Sequence, residues 1–252
     1  MIPQAQTNKA PAEYMAKAFK EVDWPIPPYL MVGFLNRLAH DITIAHPAHK
    51  IEIMYQAIRH TYNPLYIATM FLERYSTVIH VRDFREHIDQ AIKAYFSGYK
   101  LPSICALIPV IEGIIRKRAA KHGRDLGNGT IKFKLEFSDL VEKEKNSSHC
   151  YGERLVMLEA LRDFMEKRFL EKTDNYDGMN QFNRHGILHG LYDNFGDDKN
   201  FYRLITLLDL LCFLVGLEEG GSCFAPEDTP ESVSLGAHYL QLSQASFKGE
   251  II

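Results

Sequence analysis

The chain has no excess of positive charge. Its 29 Lys and Arg against 32 Asp and Glu leave a formal net charge of −3. It is therefore no general polyanion binder, and any nucleic-acid surface has to be a local patch. The four cysteines, Cys105, Cys150, Cys212 and Cys223, include no Cys-x-x-Cys pair, which argues against a zinc knuckle. Cys105 and Cys212 fall in apolar helical runs, where a reduced, buried thiol is the default. The opening Met1–Thr7 lacks a basic start followed by an apolar segment, so no signal peptide is read there. The uncharged runs are too short and too often interrupted to cross a bilayer. Internal repeats and low-complexity tracts are also missing. These absences predict a cytoplasmic, reducing setting, with no membrane partner.

What remains is an average globular composition, 252 residues with 46% apolar and 24% charged side chains, enough to bury a sizeable core. The apolar residues recur at helical spacing almost throughout. Met15, Ala18, Phe19 and Val22 mark a first helix, broken by Trp24-Pro25-Ile26-Pro27-Pro28. Further helices are expected over Tyr29–Ile44, from Pro47 to about His60, and from Asn63-Pro64 onward. An amphipathic helix starts near Arg82, with Phe84, Ile88, Ala91, Ile92 and Tyr95 inward. An apolar one starts at Leu101 and finishes very basic near His122, with Gly123 and Gly127-Asn128-Gly129 as stop signals. Ile131–Phe137 alternates like a strand and is expected as an extended loop or hairpin arm, with Ser138-Asp139-Leu140 capping a short charged helix. A helix follows over Gly152–Lys172. Lys199–Leu217 is apolar nearly all round, which places it at a bundle centre or in a subunit interface. The predicted class is all-α: a helical region over 1–80, a helical bundle over 81–220, and a loosely ordered tail over 221–252 with a short helix near Leu235–Leu242.

Between two of these helices lies Asn183-Arg184-His185-Gly186-Ile187-Leu188-His189-Gly190. Arginine holds a phosphate with a forked set of donors, and histidine moves a proton near neutral pH. Arg184 and His189 are five positions apart, about 140° around a regular helix. Gly186 is expected to loosen the backbone so that the two meet at one phosphate. His185 and His189, at i and i+4, have a zinc-binding spacing, but the glutamate of the His-Glu-x-x-His motif is missing, so no metal and no cofactor is assigned. Upstream, Glu112 and Arg116 form a second i, i+4 pair at the edge of an apolar run. Glu112 is placed to orient a histidine or pin an arginine. Lys117, Arg118, Lys121, His122 and Arg124 extend a positive end from it.

The run Arg184-His185-Gly186-Ile187-Leu188-His189 resembles the Arg-[Asn/His/Asp]-x-x-x-His signature of the HEPN superfamily. Asn183 before it, Gly190 after it and the turn into a Leu-rich helix are also similar, as is the earlier Glu112/Arg116 pair. The resemblance covers roughly 81–220. It implies an up-and-down helical bundle that works as a metal-independent endoribonuclease in phage defence or stress response. On that footing Arg184 and His189 are catalytic, and His185, Asn183, Glu112 and Arg116 support them. RNA runs along Arg118, Lys121 and Arg124. Products are a 2′,3′-cyclic phosphate and a 5′-hydroxyl. The implied partners are RNA, a second copy of the chain, and an antitoxin or other regulatory protein.

Plain structural roles compete with each of these. Arg184 pairs with a carboxylate in that alternative, His189 bonds a backbone carbonyl, and Glu112–Arg116 is a simple ion pair. The cations from Arg116 to Arg124 then only complement a helix C-terminus. The functional alternative is a non-catalytic module of the same shape that binds RNA, a nucleotide or a protein.

Overall fold

A computed structural model of the chain describes residues 9–127, 130–147, 151–222 and 224–249. The expectations for Met1–Thr7, Asn128, Gly129, Cys150 and Cys223 lie outside the described residues. The protein is all-α. The described residues form eleven α-helices and no strand. The first four are α1 (Ala10–Lys20), α2 (Val32–Ile44), α3 (Pro47–Thr61) and α4 (Pro64–Met70). Next come α5 (Arg85–Phe96), α6 (Lys100–Lys121), α7 (Thr130–Lys145) and α8 (Gly152–Phe164). The last are α9 (Arg184–Leu188), α10 (Asp198–Glu218) and α11 (Pro230–Gly249). Prolines open α3 and α4, where the missing N–H costs nothing. The Asn63 side chain caps α4 by accepting from Leu65 and Tyr66 N–H at 3.0 Å each.

The all-round apolar segment becomes α10, and it occupies the centre. Its side chains are buried nearly without interruption from Asn200 to Cys212. By length and composition it could cross a membrane, yet 89% of its apolar stretch is buried inside the fold. Helices α3 and α6 pack on it, so its apolar surface is used within the chain. The remaining helices pack as neighbours: α1 with α2 and α8, α5 with α6, and α7 with α8. One continuous core runs from Ala12 to Tyr239 and crosses the 80/81 boundary drawn from composition.

Two segments differ from their sequence-based expectation. The alternating run at 131–137 is helical, part of α7, and Ser138-Asp139-Leu140 lies inside that helix rather than capping another. Phe133, Phe137 and Val141 are buried while Ile131 and Leu135 are exposed. The apolar stripe has period four, and the two exposed residues mimic period two. The expected loose tail contains the 20-residue α11. It starts at Pro230 after a reciprocal cap, in which Ser232 Oγ accepts from Thr229 N–H (2.9 Å) and Thr229 Oγ1 from Ser232 N–H (3.2 Å). It docks through Tyr239, stacked on Phe96 with centroids 5.0 Å apart. At Gly236 an added Cβ would meet the Leu65 backbone Cα at 2.9 Å. A contact made by glycine and serine carries little hydrophobic signal in the sequence.

Two ionisable polar side chains, Arg203 and Asp209, are buried on α10 beside Asn200 and Thr206. Arg203 donates to Asp23 O (2.8 Å), Val22 O (3.3 Å), Asn200 Oδ1 (2.9 Å) and Asn180 Oδ1 (3.3 Å). Its guanidinium lies 5.0 Å from the Trp24 ring centroid and 5.6 Å from that of Phe182. Burial pushes its pKa down to about 10, which leaves it charged at neutral pH. Asp209, one face round, accepts from the phenols of Tyr75 (2.5 Å) and Tyr66 (2.9 Å). Burial pushes its pKa up to about 7, against the pull of the hydrogen bonds from Tyr75 and Tyr66.

Replacing Arg203 with Met leaves several buried acceptors without donors. Urea unfolding is expected to show a loss of at least about 3 kcal/mol. Asp209 binds its proton more tightly folded than unfolded. Its contribution to stability is therefore full below the unfolded pKa of about 3.9 and is lost as pH rises through about 7. Asp209→Asn is expected to raise the melting temperature at pH 8 clearly more than at pH 5. An equal change at both values would contradict this.

Candidate functional site

The Arg184–His189 motif forms a single helical turn between two irregular segments. Asn183 starts it. This side chain is fully buried, and its Oδ1 accepts from Gly186 N–H at 3.0 Å. Its Nδ2 donates to the carbonyls of Glu171 (2.7 Å) and Arg168 (3.2 Å). Three bonds thereby fix where α9 begins relative to the end of α8. Gly186 does not loosen this turn, contrary to expectation. It is buried in the helix, and the Tyr192 ring lies where a Cβ would project. The glycine is a seat for the tyrosine, whose N–H returns to Gly186 O at 3.1 Å.

Arg184 projects toward α6, where its Nε is ion-paired with Glu112 Oε1. The side chain is 16% exposed, that of Glu112 12%. Of the two roles open to Glu112, the structure supports pinning an arginine, and that arginine is Arg184. Arg116 is instead turned to the carbonyl of Gly127 and packs over the Phe133 ring, 4.6 Å from its centroid. The expected Glu112–Arg116 pair is thus replaced. Helix α9 brings a second cation to the carboxylate, and α7 offers Arg116 an aromatic face.

Arg184 Nη1 lies 3.3 Å from His185 Nε2. Arginine only donates, so that nitrogen accepts, and His185 is neutral with its proton on Nδ1. Burial, followed by the charges of Arg184 and His189, pulls the His185 pKa below its ordinary value. Thr130 Oγ1 is 3.2 Å from the same nitrogen, a neighbour that nothing in the sequence spacing announced. The His189 ring stacks on that of His185, with centroids 5.5 Å apart and planes 19° from parallel. His189 itself caps α9 and is exposed. The motif therefore offers a pinned guanidinium, a neutral imidazole beside it, and a solvent-facing imidazole stacked on the second. Burial also lowers the Arg184 pKa from its ordinary value. Among the described residues no three His, Cys, Asp or Glu side chains group to hold a metal.

The basic end of α6 is not a free cationic surface. Arg118 is buried, bonding Glu136 on α7 (2.5 Å) and Glu218 on α10 (2.5 and 3.0 Å). Arg124 bonds Glu136 and Asp139 at 2.9 Å each, and Lys121 is paired with Glu219. The three side chains expected along RNA are thus neutralised by carboxylates lying up to a hundred residues away in sequence. Arg118 is a bridge between three helices, and the other two face solvent only in part. Leu188 and Leu191, just before and after His189 in the chain, are exposed apolar side chains, as are Ile131 and Leu135 on α7, the helix whose Thr130 meets His185.

Replacing Asn183 with Ala removes the α9 cap and orphans two buried carbonyls. Urea unfolding is expected to show a loss of about 1–2 kcal/mol. Asn183→Asp, which keeps the acceptor but sets a carboxylate oxygen against the two carbonyls in a fully buried site, is expected to lose at least as much as Ala. An Ala variant as stable as the parent would remove the cap from this account.

No protein-family model, no curated protein and no solved structure matches the chain.

Proposed function

We propose that the chain is a metal-independent endoribonuclease of HEPN type, as the motif resemblance implies. The observation that carries this is the placement of Arg184, His185 and His189 together at the surface, with the guanidinium held from behind by Glu112. His189 takes the proton from an RNA 2′-hydroxyl as general base. The freed oxygen attacks the adjacent phosphorus. Arg184, anchored through Nε, turns its terminal nitrogens to the phosphoryl oxygens as their charge grows. The 5′-oxygen leaves and takes a proton from water, giving a 2′,3′-cyclic phosphate and a 5′-hydroxyl. His185, neutral and bonded to the guanidinium, orients both partners. Glu112 keeps Arg184 extended along α6 and is a positioning residue.

A second copy of the chain completes the site. Leu188 and Leu191 at the motif, and Ile131 and Leu135 on α7, are exposed apolar side chains, and large exposed apolar groups mark association surfaces. Helix α10, apolar as it is, supplies no such surface. RNA contacts then come from the paired motifs rather than from Arg118, Lys121 and Arg124. Service in phage defence or stress response, under an antitoxin or other regulator, is the biological setting the resemblance implies.

The Glu112–Arg184 ion pair also supports the second reading, a non-catalytic module that binds RNA, a nucleotide or a protein. A carboxylate already satisfying the guanidinium competes with phosphate for it.

Purified protein incubated with single-stranded RNA in EDTA distinguishes the two. Cleavage with cyclic-phosphate ends is expected, falling by roughly 10²–10⁴-fold in His189→Ala and at least as far in Arg184→Ala. RNA binding that weakens with salt, without cleavage, supports the module instead. Cleavage equal in both variants and the parent rejects the mechanism.

A further inference from the structure

Arg116 is a cation with donors to spare. Its Nη1 donates to the Gly127 carbonyl, and its guanidinium lies over the Phe133 ring. It has no carboxylate partner among the described residues, and its Nε and Nη2 are unbonded there and reached by solvent. Arginine offers five N–H groups, and only one of these is spent. Its neighbours on α6 are used differently. Lys117 pairs with Asp83 (2.6 Å), Arg118 with Glu136 and Glu218, and Lys121 with Glu219.

A closed circuit of contacts places Arg116 beside the motif. Arg184 Nε is paired with Glu112 on α6. Arg116 stands one helical turn further along the same face of α6, about 5.4 Å on. It is bonded to Gly127, three positions before Thr130 in the chain. Thr130 meets His185, and His185 meets Arg184 again.

The acids around this circuit are already engaged. Glu112 is taken by Arg184. The Asp125 carboxylate accepts from Gly127 N–H at 2.9 Å, and Lys132 Nζ reaches the Asp125 carbonyl at 3.0 Å. Glu136 and Asp139 on α7 are bonded to Arg124. Two guanidinium groups, those of Arg184 and Arg116, therefore flank the single carboxylate of Glu112.

We propose that Arg116 is a second phosphate contact of the motif site. It holds the RNA backbone at a phosphate next to the one between Arg184 and His189. A guanidinium fork suits phosphate oxygens, and such a contact sets the register of the strand without reading its sequence. The strand then follows the face of α6 that carries Glu112 and Arg116, not the paired cations Arg118, Lys121 and Arg124. This rests on RNA as the ligand of the motif, but not on its cleavage.

Fluorescence anisotropy with a labelled single-stranded RNA in EDTA tests the contact. The full chain carries His189→Ala so that the strand stays intact. The reading is the slope of log affinity against log salt between about 50 and 200 mM. One phosphate contact on a single strand contributes about 0.7 to that slope. Arg116→Gln is expected to reduce it by about that amount, and Arg116→Lys, which keeps the charge, to retain it. Lys121→Gln, at a cation already paired, is expected to change the slope far less. In the unsubstituted chain the Arg116 Nε–H nuclear magnetic resonance signal is expected to shift on adding the RNA, a reading that needs no variant to fold. Absence of salt-dependent RNA binding overturns the proposal. An unchanged slope in Arg116→Gln, an equal fall in Lys121→Gln or an unmoved Arg116 signal does so too. If the parent binds with this slope and cuts nothing, the nuclease reading fails and the Arg116 contact stands. If the parent cuts, Arg116→Gln is expected to raise KM with kcat little changed, and a fall in kcat alone overturns the contact.

Discussion

Arg203 is the group on which the arrangement of the chain depends. Its charge is fully buried in the first third of α10, and a charge in that position persists only when it is hydrogen-bonded. The partners it uses come from three separated parts of the chain: Val22 and Asp23 after α1, Asn180 before the motif, and Asn200 on α10 itself. Trp24 and Phe182 face its guanidinium. These contacts fix the end of α1 against the loop that leads into α9. The capped turn carrying Arg184 and His189 is then held by Asn183, one residue beyond Phe182. The motif is short and has little apolar area of its own, so its position is inherited from this polar centre.

A recurrent device in the molecule is a cation shared among carboxylates, or a carboxylate among cations, where helices meet. Arg118 joins α6, α7 and α10 through Glu136 and Glu218. Arg168 joins the end of α8 to Asp23, and Arg184 joins α9 to α6 through Glu112. Buried bridges of this sort cost desolvation and add directionality, which apolar contact lacks. They also explain how a chain of nearly balanced charge leaves so little free positive surface.

The all-α class, the first helix and the central apolar helix were legible because apolar side chains there recur at helical spacing and the breaks between helices are strong. The site was legible in part. The i, i+4 spacing put His185 and His189 on one face, and Glu112 was read as a residue able to orient a histidine or pin an arginine. Helix α7 was misread because Ile131 and Leu135 are apolar yet exposed, which turns a period of four into an apparent period of two. Helix α11 was missed because its docking face is built from Ser232, Gly236 and Tyr239, a face of close approach rather than of large apolar side chains. Gly186 was misjudged for a related reason: its role is the space that Tyr192 fills.

By itself the amino-acid sequence determined the helical periodicity, the all-round apolar character of α10 and the grouping of one arginine and two histidines at 183–190. These are local properties, set by side-chain type and spacing within a turn or two of backbone. Only the tertiary structure decided which charges remain available. Glu136, Glu218 and Glu219 are remote from Arg118 and Lys121 in the chain, and nothing in their spacing says that they meet. The choice of Arg184 over Arg116 as the partner of Glu112 likewise rests on where α9 packs against α6. Coulombic pairing acts through space over a few ångströms, so the charge pattern of a folded surface is a property of helix packing, not of sequence order.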